Sequence, residues 1–134
     1  MSREYLRTDG TPVDMANLVR GELLHVKLTI ASDAERALSD LVVEDLFAGA
    51  FEPVHREIAQ PGRADWVMRS DARDDRMLVF SKKFKLEANG KVEFYYPVRV
   101  VSAGDFILPG SRVEAMYAPT LRAQTPPTRI RIAN

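Results

Sequence analysis

Residues Lys91 to Val101 alternate without interruption, with Val92, Phe94, Tyr96, Val98 and Val100 on one side of an extended chain. A period of two is the period of a strand with one buried face, and a helix cannot use it. Leu24, Val26, Leu28 and Ile30 alternate with His25, Lys27 and Thr29 in the same way. In Leu41–Phe47 the phase places Leu41, Val43 and the polar Asp45 on one side and Val42, Glu44 and Leu46 on the other. Met77–Phe84 sets Met77 and Val79 against Leu78 and Phe80. Trp66–Met68, Phe106–Leu108, Arg112–Tyr117 and Arg129–Ile132 are shorter extended candidates. Turn signals separate these runs: Asp9-Gly10, Arg20-Gly21, Ala48-Gly49, Pro61-Gly62, Asn89-Gly90, Gly104-Asp105 and Pro109-Gly110. Asn89-Gly90 in particular signals a hairpin. Pro97, inside the clearest strand, lacks a ladder donor and predicts an edge or a bulge there.

The expectation is therefore an all-β fold: one antiparallel β-sandwich of seven or eight strands. One short helix fits in the Phe51–Arg63 connection, across 54–59. Tyr5–Asn17 and Ala118–Pro127 read as loops. With 134 residues the chain makes one domain, 1–134, large enough to bury a core without staples.

Charge and chemistry narrow the function. Nineteen basic residues balance nineteen acidic ones, which gives no support to general attraction to nucleic acid or anionic lipid. Lys82, Lys83 and Lys85 near Phe80 and Phe84 read as a solvated strand face. There is no cysteine, so disulfides, thiol catalysis and cysteine-held zinc are excluded. His25 and His55 lack metal-ligand spacing, and Ser70 with Asp71 and His55 lacks the context of a nucleophile elbow. No phosphate-binding glycine loop occurs. No cofactor and no metal are expected, and no catalytic residue is assigned. Arg73, Asp74, Asp75 and Arg76 read as an ion-pair corner before a strand, since the interleaved arginines neutralise a calcium site. No apolar run approaches the ~20 residues of a membrane helix, and Met1–Arg7 lack the apolar centre of a signal peptide.

The segments Phe94–Val101, Gly104–Pro109, Glu114–Pro119 and Arg122-Ala123 resemble the end of bacterial α2-macroglobulins. Arg73–Arg76, Asp9-Gly10 and Gly21-Glu22-Leu23 fit the same family. The resemblance implies a C-terminal, receptor-binding-like macroglobulin domain, excised from a much longer periplasmic or cell-envelope protein. It implies a parent that traps proteases broadly. Its partners are then the other domains of that parent, the thioester domain above all, with target proteases met through the full-length protein. In thioester-bearing members a tyrosine of this domain shields the thioester from water. Tyr117, with Met116 beside it, is the matching position for such an interdomain latch. A second class of function is a stand-alone envelope sandwich binding a glycan or peptide, which requires an exposed aromatic platform at Trp66 or Tyr95.

Overall fold

The computed structural model describes residues 1–55 and 60–134. In chain order the strands are β1 (Ser2–Leu6), β2 (Leu18–Val19), β3 (Leu23–Ala31), β4 (Arg36–Leu38), β5 (Leu41–Leu46), β6 (Phe51–Pro53) and β7 (Val67–Ala72). They continue with β8 (Arg76–Ser81), β9 (Phe84–Leu86), β10 (Lys91–Val100), β11 (Gly104–Leu108), β12 (Ser111–Ala115), β13 (Ala118–Gln124) and β14 (Thr128–Ala133). No helix occurs among the described residues. Residues 56–59, which carry most of the expected short helix, lie outside the described residues, while Phe51–Pro53 is a strand.

A four-stranded sheet, β1-β3-β10-β6, faces a five-stranded sheet, β13-β12-β5-β8-β7. The alternation seen in the sequence supplies the filling. Leu24, Val26 and Leu28 of β3, Val92, Val98 and Val100 of β10, Val43 of β5 and Val79 of β8 form one buried cluster. A three-stranded sheet, β11-β14-β2, closes one margin, and the β4–β9 pair forms a fourth, small sheet. One pairing departs from the antiparallel expectation: β14 and β2 run parallel.

The strand count exceeds the expectation for two reasons. Several strands are only two or three residues long. Two others lie partly or wholly in segments that read as loops, Tyr5–Asn17 and Ala118–Pro127. β1 is one, and its inward positions are Arg3 and Tyr5 rather than a pair of apolar residues. Arg3 enters the core because Asp45 is there: its Nη1 donates to Asp45 Oδ1 at 2.5 Å, and its Nη2 to the Pro109 carbonyl at 2.6 Å. The Tyr96 hydroxyl donates to the other Asp45 oxygen. Asp45 is fully buried, so each of its oxygens needs a donor. Burial pushes its carboxyl up, and the Arg3 guanidinium and the Tyr96 hydroxyl pull it back. The other missed strand, β13, pairs with β12 through a register shift after Glu114.

Asn89-Gly90 makes a tight turn, with Asn89 at φ 58° and the Gly90 N–H bonded to the Glu87 carbonyl at 2.9 Å. It does not make a hairpin. The preceding strand, β9, pairs with β4, and β10 lies beside β3, so this turn is a crossover between sheets. Turn chemistry sets the local bend and leaves the partner open. Pro97 sits in a strand with neighbours on both sides, at the point where one of them stops. Its carbonyl accepts from Val54, just beyond β6. A residue's N–H and C=O leave a strand on the same side, so the missing donor falls on the β6 side, just beyond the end of that strand. Further along the same margin, the Gln60 side-chain amide takes the place of a strand. It donates to the Tyr95 carbonyl at 2.8 Å and accepts from the Tyr95 N–H at 2.9 Å.

Trp66 is 2% exposed, its Nε1 donates to the Arg63 and Glu93 carbonyls at 3.0 Å, and its ring packs on Phe84 at 5.7 Å. Its fluorescence is expected to be blue-shifted and insensitive to aqueous quenchers. Trp66→Ala is expected to cost about 3–5 kcal/mol in a urea titration, the usual range for emptying a large aromatic site.

Candidate functional site

The β12–β13 hairpin is built on an alternating strand. Ser111, Val113 and Ala115 are buried, and Arg112 and Glu114 point outward. Its base is pinned by polar contacts: the Thr125 N–H reaches the Ser111 carbonyl at 2.8 Å, and the Ser111 N–H reaches Thr125 Oγ1 at 2.9 Å. Gly110 is required there, since a Cβ would lie 2.0 Å from the Thr125 carbonyl oxygen. Arg112 ties the outer face to Glu44 at 3.5 Å.

At the tip, Ala115 pairs with Ala118, and Met116 and Tyr117 form the turn between them. The Met116 N–H bonds the carbonyl of Asp40 at 3.0 Å. Asp40 itself takes a left-handed φ of 54°. The tip is thus tied at its backbone to the start of β5 while both side chains project. Tyr117 is 82% exposed and Met116 53%. Two large apolar groups held outward on a sheet edge, one with a hydroxyl, suit docking against a protein surface.

The Arg73–Arg76 segment turns β7 into β8, with the Arg73 N–H on the Arg76 carbonyl at 2.8 Å. Arg76 pairs with Asp75 at 2.9 Å and with Glu44 at 3.1 Å, and Arg73 pairs with Asp71 at 3.1 Å. Asp74 enters none of these pairs. The hydrogen bonds from Arg76 hold the Asp75 carboxyl below the usual carboxylate range. These are exposed pairs of small worth, and the corner shapes a turn. Corner and tip lie at opposite ends of β5: Leu46 pairs with Arg76, and Leu41 with Ala115.

His55 and Ser70 border a shallow cleft of about 430 Å³ with Tyr95, Tyr96 and Pro97, and no carboxylate lines it among the described residues. Among those residues no cluster of His, Asp or Glu is fit to hold a metal. The aromatic platform of the alternative function loses Trp66 to the core. Tyr95 is half-buried, its hydroxyl donates to Glu93 Oε2 at 3.3 Å, and the Lys27 ammonium lies 6.0 Å from its ring centre. Burial and the neighbouring Glu93 charge raise the Tyr95 hydroxyl above the ordinary tyrosine value. The buried partners Arg3 and Asp45 were missed by sequence reasoning as a pair. The signal was Asp45 on the apolar side of β5.

The family model described as "Bacterial Alpha-2-macroglobulin MG10 domain" matches residues 1–120. An alpha-2-macroglobulin homolog of Yersinia pestis is 25% identical over 147 residues, covering 92% of this chain and 7% of that protein. The alpha-2-macroglobulin of Rickettsia conorii is 29% identical over 126 residues, covering 89% of this chain and 6% of that one. Salmonella alpha-2-macroglobulin reacted with methylamine superposes with a TM-score of 0.82 at 25% identity, over 99% of this chain and 9% of that one. Native alpha-2-macroglobulin of Escherichia coli, spanning domain MG7 to the C-terminus, shares the fold at a TM-score of 0.83 and 21% identity, over 99% of this chain and 23% of that one. The chain thus spans less than a tenth of the length of the curated relatives it matches. A sandwich of this topology, matched by the family model over nearly its whole length, belongs to the bacterial alpha-2-macroglobulin MG10 domain family.

Proposed function

We propose that this domain is a non-catalytic packing module of a bacterial alpha-2-macroglobulin-like protease trap, in the periplasm or cell envelope. It is the C-terminal domain of its parent and docks on the neighbouring thioester-type domain. The Met116–Tyr117 tip is the latch. The observation that carries the reading is the 82% exposure of Tyr117 on a turn whose backbone is tied to Asp40. An aromatic side chain on a rigid support fills a pocket at little entropic cost, and it keeps water from a hydrolysable bond beneath it. It leaves intact when the domains shift, because nothing covalent holds it. The chain has no cysteine, so any thioester belongs to another domain. Target proteases are met by the whole parent, not by this domain.

Titration of the domain against the separately expressed remainder of its parent tests this. Tyr117→Ala is expected to weaken binding at least about tenfold, the loss typical of an aromatic anchor. Its folding stability is expected to stay within about 0.5 kcal/mol of the unsubstituted domain, since Tyr117 is 82% exposed. Unchanged binding would remove Tyr117 from the interface.

A further inference from the structure

We propose that β11 is a docking edge that receives an extended segment of the parent chain from outside residues 1–134. The direction of its backbone groups follows from its neighbour. The Arg131 N–H bonds the Met15 carbonyl, so Arg131 points its polar groups away from β11. The bonded pairs between β11 and β14 are therefore Gly104–Ile132, Phe106–Ile130 and Leu108–Thr128. Asp105 and Ile107 direct both N–H and C=O outward. No other backbone hydrogen bond reaches β11 among the described residues.

Exposed edges are normally blunted, and the other edges of the three larger sheets are. Along β1 the chain folds back, with Val13 donating to the Tyr5 carbonyl and a bridge between Leu6 and Pro12. β6 is three residues long and ends at Pro53. β7 has a register shift between Val67 and Arg69. β13 carries a proline in its sequence, at 119, and meets β12 through a register shift after Glu114. β2 has two residues. β11 has five, in clean register, with no proline, bulge or basic residue; its one charge, Asp105, is paired with Arg131 of β14 at 3.0 Å, and its Ile107 is 56% exposed. An unblunted edge with an exposed apolar side chain has the form that strand addition uses.

The occupant follows from magnitude. The outward groups of two residues and one isoleucine side chain give an affinity on the order of mM. A second molecule at micromolar concentration leaves such an edge empty. A tethered segment, at an effective concentration of about mM, occupies it about half the time. The chain covers 7% of the Yersinia pestis relative, so most of a parent of that length lies outside it. The inference rests on the proposed longer parent and not on the Tyr117 latch. The incoming strand places an apolar residue against Ile107.

Hydrogen exchange followed by mass spectrometry, on this chain and on the full-length parent, tests the proposal. In the parent, the Asp105 and Ile107 amides are expected to exchange about twofold more slowly than in the chain alone, the factor that an effective concentration equal to the dissociation constant gives. Ile107→Pro removes an outward donor together with the Ile107 side chain, and because that donor points away from β14 the β14 ladder stays whole. In the parent it is expected to abolish the protection at Asp105. Equal exchange in both proteins would overturn the proposal, and if Tyr117→Ala still weakens docking, the functional reading survives that failure. Protection that persists in Ile107→Pro means burial without strand pairing, and it also overturns the proposal. So does protection that rises with the concentration of this chain alone, which would make the occupant a second copy.

Discussion

Asp45→Ala is expected to cost about 3–5 kcal/mol of folding stability, a large share of the ~5–15 kcal/mol available to a domain. The Arg3 and Asp45 side chains are 5% and 1% exposed, so water does not reach them to replace the lost contact. Removing the carboxylate leaves the Arg3 guanidinium buried with only the Pro109 carbonyl, and it leaves the Tyr96 hydroxyl without its acceptor. The penalty is that of an orphaned charge, not the net worth of the pair. The double substitution Arg3→Met with Asp45→Leu is therefore expected to recover most of the loss, because it removes both charges together. Urea unfolding of the unsubstituted protein, both single variants and the double variant measures the coupling. A single-variant loss below about 1 kcal/mol would mean that the pair is solvated.

Above pH 10 stability is expected to fall steeply. Burial raises the Tyr5 hydroxyl far above the ordinary tyrosine value, and the Asp45 charge raises it further. Tyr96 is raised well above that value for the same reasons in the same order. Folded values above unfolded ones mean that the fold holds these protons and the unfolded chain releases them. The contribution is intact below the unfolded value of about 10 and is lost as pH rises beyond it. Two protons released on unfolding give a slope of about 2.7 kcal/mol per pH unit. Tyr5→Phe keeps the ring on Phe51, 5.6 Å away, and is expected to halve the tyrosine part of that slope. Denaturation series from pH 8 to 11.5 on both proteins read the difference, and identical slopes would show that Tyr5 ionises while folded.

The Arg3–Asp45 pair also explains why β1 was hidden. Strand phase is a local property, so β3, β5, β8, β10 and β14 were legible from alternation alone. The phase even put Asp45 on the core side. What made that position tolerable is a guanidinium 42 residues away in sequence. No local pattern reports that, and the same arginine erases the apolar alternation that would have marked β1. β13 was hidden by the three prolines of Ala118–Pro127, of which only Pro119 falls within the strand, on a sheet edge.

The tip residues show the same division. Met116 and Tyr117 were singled out from the Glu114–Pro119 resemblance. Alternation alone would have continued the β12 strand through them. Their exposure was decided by the turn, whose backbone is held by Asp40 across the sheet.

By itself the sequence determined the fold class, the buried face of each long strand and the absence of thiol chemistry, because side-chain period and composition are properties of the chain. Tertiary structure alone decided which strands are neighbours, where Asn89-Gly90 leads, how Asp45 is satisfied, and which edge is left open at Asp105 and Ile107. Those depend on contacts between distant segments, and the free energy of a contact is set only when both sides are in place.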